Sequence, residues 1–519
     1  MNVRLYRRNF SDLAVQPDVI FTVDRYVHST MGGPKTATIQ ASGKLEALFE
    51  LVNHLREPIE IINDKGDCVW WGYISDLFIN TDIGSYGVDL ETMTNHVAVA
   101  YNDQDVRYTT PWSGDADSMA EYGIKELLLS RSDVTEANAL QTRDVTLANS
   151  KHPIPVLKFS RGAEGTATIN CIGWLNTLEW QYYQNLTGKE GYEEVGQGGR
   201  EIGEDDRPKL AQSFKISSDT AWDATSIWLH VWYQGDNIPT TENLIVSLKA
   251  DNSGVPGTTL ASCSLAPSNF SERSEWVEFV MSNAVTLQPS TTYWIHVEKA
   301  GAIQLEKYYV VDTNLDAGYP RGVLYLYNTN LGSWGQDIYL WWGDLLFLVV
   351  GDVGTTDQIS TLVSSCGQFF EDVMIEDVSG LTSNPYRDGD TAGLYELEKL
   401  LNAGTSTDRR LLCEVTRNRY LRVYEEPAKP DKAIDSYALS RDGQLLTAAL
   451  TPIDTSLCPV GIWCHLHDVI PASVDLSLIA DPTLFLIEEA AYDVQKGRYE
   501  IIATRNQANT LDIGGVVQG

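Results

Sequence analysis

Ile227-Trp-Leu-His-Val-Trp-Tyr233 is the run of this chain whose residue types and spacing most plainly offer chemistry. In an extended strand successive side chains leave opposite faces, so Trp228, His230 and Trp232 share one face and Ile227, Leu229, Val231 and Tyr233 the other. Two indoles and an imidazole in a row suit stacking on the C–H faces of sugar rings, with His230 and nearby carboxylates bonding the hydroxyls. The same row serves equally as a packing layer beneath a loop or a neighbouring subunit, and both readings stay open. Trp334, Trp341 and Trp342, after the glycine-containing stretch 328–335, form a second candidate platform with the same two readings.

Other reactive types are scattered in patterns that fit ordinary structure better than catalysis. Asp251, Asn252 and Ser253 offer oxygens, but Ca²⁺ takes roughly six to eight ligands, and the Gly254-Val-Pro-Gly257 context is that of a plain turn. Cys458, Cys464, His465 and His467 are spaced C-x₅-C-H-x-H, unlike the closer C-x₂₋₄-C pairs of zinc sites, and read as core thiols beside a strand with outward histidines. Gly196-Gln-Gly-Gly199 has neither the preceding strand nor the Lys-Ser/Thr helix of a phosphate loop. Glu425–Glu426 and Glu488–Glu489 are adjacent acids that a strand would point to opposite faces. With no G-x-S-x-G or H-E-x-x-H run, no catalytic residue, metal or cofactor is expected.

These residues sit in a chain of 519, long enough for roughly three or four domains. The 38 basic residues against 71 acidic ones give −33, which argues against nucleic acid or an anionic membrane as a direct ligand. The basic N-terminal run is not followed by an apolar stretch, so a secretory leader is not expected, and no run reaches the ~20 residues of a membrane span. Seven cysteines without close pairing suit reduced thiols.

Leu45, Leu48, Phe49, Leu51, Val52 and Leu55 predict an amphipathic helix over 44–55, followed by a hairpin from Pro58 to Ile74. Further helices are expected at 117–130, from 133 with a cap at Ser132 or Thr135, at 358–370, and at 394–401 before Gly404. Residues 188–209, rich in Gly, Glu and Asp, read as a linker. Between 201 and 351 lie eight of the 14 tryptophans and a series of strand-like runs separated by turn clusters. That pattern predicts an inserted β-sandwich of jelly-roll type. The remainder from 436 is strand-dominated, with a loosely held tail after 504.

Gly32-Gly-Pro-Lys-Thr-Ala-Thr-Ile39, the Leu-rich helix, Pro58-Ile-Glu-Ile and Val69-Trp-Trp-Gly-Tyr-Ile74 resemble the first β domain of tail hub proteins at the tip of phage tails. Met119-Ala-Glu-Tyr-Gly-Ile-Lys-Glu-Leu with Ala137-Asn-Ala-Leu is similar to a later part of the same proteins, as are Cys171–Tyr183, the Asn384-Pro-Tyr-Arg-Asp-Gly-Asp-Thr run and Tyr424-Glu-Glu-Pro. The likeness covers roughly 15–185 and 355–500, through short hydrophobic motifs. Within the insertion, Leu244–Gly257, Trp276-Val-Glu-Phe and Leu287–Ile295 resemble an extracellular β-sandwich module found near carbohydrate-binding regions.

The resemblance implies a β-rich α+β protein with two small barrel-like hub domains (1–110 and 111–190), an inserted sandwich (201–351), a further α+β hub domain (355–435) and a C-terminal β domain (436–519). It implies a non-enzymatic virion component, a tail-tip or baseplate hub that forms a homotrimeric ring around the tail channel. Its partners would be itself, tube and fibre proteins of the tail, and a host-surface glycan. Alternatives are a cell-wall or capsule hydrolase with a binding module, and a surface adhesin.

Overall fold

The computed structural model describes residues 1–10, 18–103, 106–132, 134–159, 165–194, 198–203, 209–233, 242–301, 307–314, 318–329, 331–335, 343–376, 378, 380–406, 409–429, 437–439, 445–447, 454–466, 473–475 and 482–505. The chain is β-rich α+β and divides into two units, each with its own core. The first runs from Met1 to Tyr183 and resumes at Ile359–Leu381 and from Gly389 onward; the second comprises Gln184–Gln358 and Thr382–Asp388. The sequence-based span 201–351 lies inside the second unit.

In the first unit, strands from both ends of the chain share one sheet. Met31–Gly43, Thr166–Ile172 and Cys68–Asn80 lie side by side in a register that aligns Ile39, Ile169 and Leu77, all buried. Period-2 alternation makes this register costly to slip, because a one-residue shift would turn every apolar side chain outward. Val19–Ser29 pairs with Leu484–Asp493 from the far end of the chain, placing Tyr26 opposite Tyr492. Met31 and Gly32 pair with Cys413 and Glu414. Leu397, Leu400 and Leu401 of the helix Gly393–Asn402, at the spacing of one helix face, join the same core.

The predicted helix at 44–55 is an α-helix, Leu45–Glu50, that tightens into a 3₁₀ turn, Leu51–His54. The helix expected over 117–130 is shorter. It spans Ala116–Tyr122, capped by the Asp115 carboxylate, and ends at Gly123 with φ +88°. Glu126–Arg131 is instead a strand, parallel to His96–Asp103, so that Leu127 and Leu129 align with Val97 and Val99. The helix Glu136–Ser150 covers that small sheet, with Thr135 as its cap.

The second unit is a β-sandwich of two six-stranded antiparallel sheets. One has the order Lys189–Tyr192, Phe347–Val350, Trp222–Trp232, Tyr309–Asp312, Gly199–Ile202, with Glu275–Leu287 also on the tryptophan strand. The other has the order Pro256–Leu265, Leu244–Asp251, Tyr293–Lys299, Lys209–Phe214, Leu324–Asn328, Ser333–Gly335. Ile227, Leu229, Val231, Phe279, Val311 and Phe347 from the first meet Leu210, Phe214, Val246, Leu248, Ile295 and Val297 from the second.

The stretch 188–209 is thus not only a linker, since two strands of the first sheet lie in it. Its glycines hide them: a Cβ on Gly191 would lie 2.3 Å from the Phe347 carbonyl oxygen, and one on Gly199 2.7 Å from Val310 Cγ1. Glycine here permits close strand approach, which composition alone reads as a loop. The tail after 505 lies outside the described residues.

Candidate functional site

Trp222–Trp232 is a central strand of its sheet, and its alternation is the one the sequence predicts. Ile227, Leu229 and Val231 are wholly buried in the sandwich core, whereas Trp228, His230 and Trp232 are half-buried on the opposite face. Cross-strand partners extend that face. Trp276 lies opposite His230 and Glu278 opposite Trp228, and Val280, 62% exposed, opposite Ser226. The His230 and Trp276 rings meet edge to face at 5.3 Å.

The polar edge of the row is set by Asp312. Its carboxylate accepts the Trp232 indole N–H at 2.9 Å, lies 2.7 Å from His230 Nδ1 and accepts the Ser274 hydroxyl. Burial alone would raise the Asp312 pKa, but the hydrogen bonds from His230, Ser274 and Trp232 outweigh it and hold the carboxyl below its ordinary range. Both aromatic groups are therefore fixed in orientation rather than free to rotate.

Ser274, His230 and Asp312 carry the residue types of a hydrolytic triad but not its geometry. Ser274 and Asp312 both approach Nδ1, each at 2.7 Å, and bond to each other. A relay needs the serine on one imidazole nitrogen and the acid on the other. The arrangement orients an aromatic surface.

The outer face of the second sheet is also aromatic. Trp334 packs against Tyr327 at 5.3 Å and His296 at 5.6 Å, and Trp294 packs against Tyr325 at 5.2 Å. Here the rings are largely sunk: Trp294 is 1% and His296 2% exposed, and Asp251 accepts the Trp294 indole N–H at 2.7 Å. Burial, then the positive charges of Lys249 and Lys209, push the His296 pKa down to about 4 against the opposing pull of Glu298. Trp334 is therefore a cover over a packed layer more than an open platform. Its expected companions Trp341 and Trp342 lie outside the described residues.

The remaining sequence candidates have structural partners. Asp251 accepts the Gly254 N–H and closes the turn over Ser253, at φ +57°. Cys458 and Cys464 are buried, with the Cys458 thiol donating to the Ala490 carbonyl, and His465 meets Thr483 at 3.2 Å; His467 lies outside the described residues. No group of His, Cys, Asp and Glu among the described residues is arranged to hold a metal ion. The acid pairs are tied up by cations. Arg410 and Arg505 bridge Glu426 to Glu488, Arg409 pairs with Glu425, and Lys35 meets Glu489 at 2.6 Å. No helix among the described residues is long and apolar enough to cross a membrane.

Trp276, Ser274 and Asp312 are the participants that the sequence reading missed. Trp276 was reachable from pairing of its strand with Trp222–Trp232; Asp312, 80 residues from Trp232, has no local signal.

No family model matches the chain, and no curated protein does either. Among solved structures, a xylan-binding module, CBM15, is 11% identical over 25% of this chain and 94% of its own, at a TM-score of 0.14. The Cry4Aa toxin of Bacillus thuringiensis is 8% identical over 60% of this chain and 53% of its own, at 0.16. The T=1 particle of infectious bursal virus is 12% identical over 65% and 75%, at 0.14. Scores this low carry no argument about fold or function.

Proposed function

We propose that this chain is a non-enzymatic structural protein of a phage tail tip, a hub whose first unit builds a ring around the tail channel. Its sandwich contacts a host-surface glycan. The observation that carries the glycan contact is the half-buried row Trp228, His230 and Trp232, turned away from the sandwich core, with His230 and Trp232 held by Asp312. Pre-oriented aromatic faces lose little conformational freedom on stacking against a sugar ring. The hub reading is supported by the sequence resemblance and by the net charge of −33, which disfavours retention of DNA passing through a channel. It is supported too by the way both flanks of the sandwich contribute to one core.

Affinity electrophoresis of the full chain through gels containing purified bacterial surface polysaccharides tests the glycan contact. Retardation by at least one polysaccharide, abolished by the Trp228→Ala, Trp232→Ala pair, is expected; no retardation by any of them overturns it. Mass measurement tests the hub. A trimer, alone or on addition of tail-tube protein, is expected, and a stable dimer overturns it.

A further inference from the structure

Among the described residues the strand Pro155–Lys158 pairs on one side only, with Ser85–Asp89, and all four of its side chains are exposed. Consecutive exposed residues on a strand belong to opposite faces, so Val156 and Leu157 leave both faces uncovered. The apolar surface continues beyond it. Phe159 is 79% and Ile83 69% exposed, and Gly84 lies directly under the chain at Lys158 and Phe159. Proteins usually blunt such an edge with charge, a bulge or a cover. This one is apolar apart from Lys158, whose ammonium lies 3.9 Å from the centre of the Phe78 ring, and in a chain of net charge −33 the segment 145–163 contains no Asp or Glu.

The same unit presents an edge of opposite character. Among the described residues Asp372–Ile375 pairs only with Tyr420–Glu425, in parallel, and lies within Glu371-Asp-Val-Met-Ile-Glu-Asp377. Glu371 and Glu376 are paired with Arg419 and Arg422, whereas Asp372 is exposed and forms no ion pair with either arginine. Met374 is exposed beside it.

We infer that these two edges join copies of this chain head to tail, Pro155–Lys158 of one copy adding antiparallel to Asp372–Ile375 of the next. In the register that sets Lys158 against Asp372, Leu157 meets Val373, Val156 meets Met374 and Pro155 meets Ile375. Lys158 faces the Asp372 carboxylate, whose Oδ1 accepts the adjacent Val373 N–H at 2.8 Å, and every remaining pair is apolar. Pro155, with no N–H, falls at the strand end, where its missing donor costs least. Two different patches on one copy make a heterologous contact, the kind that closes a ring by rotation. The inference rests on the hub reading and supplies its interface.

Sedimentation equilibrium on the full chain at low salt tests it. Wild type should self-associate, Val156→Asp with Leu157→Asp should abolish association, and Lys158→Asp alone should weaken it at least tenfold. Adding Asp372→Lys to Lys158→Asp should restore it. The altered side chains are exposed, and unchanged circular dichroism verifies the fold. Association that survives the double aspartate variant overturns the edge pairing while leaving a ring built through other surfaces. A closed dimer indifferent to Asp372→Lys overturns the acidic partner edge in favour of Pro155–Lys158 pairing with itself. A wild type that stays monomeric alone and with tail-tube protein overturns both this inference and the hub.

Discussion

Arg417 grips Glu60 through two nitrogens, Nε at 2.5 Å and Nη2 at 2.8 Å, across a separation of 357 residues. Tyr6 donates to the same carboxylate at 2.9 Å. A fork-to-fork pair of this kind fixes geometry as well as charge, and it fastens the segment after the sandwich to the segment before it within the first unit.

Replacing Arg417 with Ala leaves the buried Glu60 with Tyr6 alone. A loss of about 2 kcal/mol is expected, the scale of a hydrogen bond to a charged group. Urea unfolding of the full chain should show two transitions, one per unit, with only that of the first unit moved.

Asp312→Ala releases both the Trp232 indole and the His230 ring. If the aromatic row binds glycan by being held in place, affinity should fall about tenfold, or about 1.4 kcal/mol, while the circular dichroism spectrum is retained. Titration calorimetry against the polysaccharide that retards the wild type measures this. An unchanged affinity would leave the row without need of its anchor.

Two buried histidines make stability depend on pH. Burial lowers the pKa of His28 to about 4 despite its hydrogen bond with the Val69 carbonyl at 2.8 Å, and lowers that of His296, beside Lys249, Lys209 and Glu298, to about 4. Each is held neutral in the folded state, so the unfolded chain binds the extra proton. Their contribution is complete above the unfolded value of 6.5 and is lost as pH falls from there toward 4. The urea midpoint of each unit should drop over that window, reflecting a loss of unfolding free energy of at most about 3 kcal/mol per histidine. His296→Gln should flatten the slope for the sandwich alone.

Asn384 donates to two carbonyls, Gly188 at 2.7 Å and Gly351 at 3.2 Å. Asn384→Ala leaves both without this donor, for an expected cost of about 1–2 kcal/mol. Hydrogen exchange should quicken at Lys189–Tyr192 and Phe347–Val350 before the rest of the sandwich.

What could be read from the residues was whatever repeats locally. The alternation of Ile227 to Val231 predicted which side chains face the core, and the Leu spacing at 394–401 predicted a helix face, because each pattern is a direct projection of backbone period. Strands built with glycine, such as Lys189–Tyr192 and Gly199–Ile202, were illegible: the absence of a side chain that allows close packing also removes the periodicity. The helix expected over 117–130 takes in most of the strand Glu126–Arg131 because Leu127, Leu128 and Leu129 fit either structure, and only the parallel neighbour His96–Asp103 decides for strand. At the candidate site the row was legible and its anchor was not, since an aspartate gains its meaning only from what folding sets beside it.

The first and last strands of the sandwich, Lys189–Tyr192 and Phe347–Val350, are hydrogen-bonded neighbours, and the Gly351 N–H donates to the Gly188 carbonyl at 2.9 Å where they meet. The long excursion of the polypeptide through 184–358 thus begins and ends at one hydrogen-bonded pair of strands, which Asn384 of the returning segment Thr382–Asp388 also bonds. A different cassette whose ends lie equally close could be spliced in at the same point, so recombination can exchange one inserted module for another while the frame keeps its own sequence.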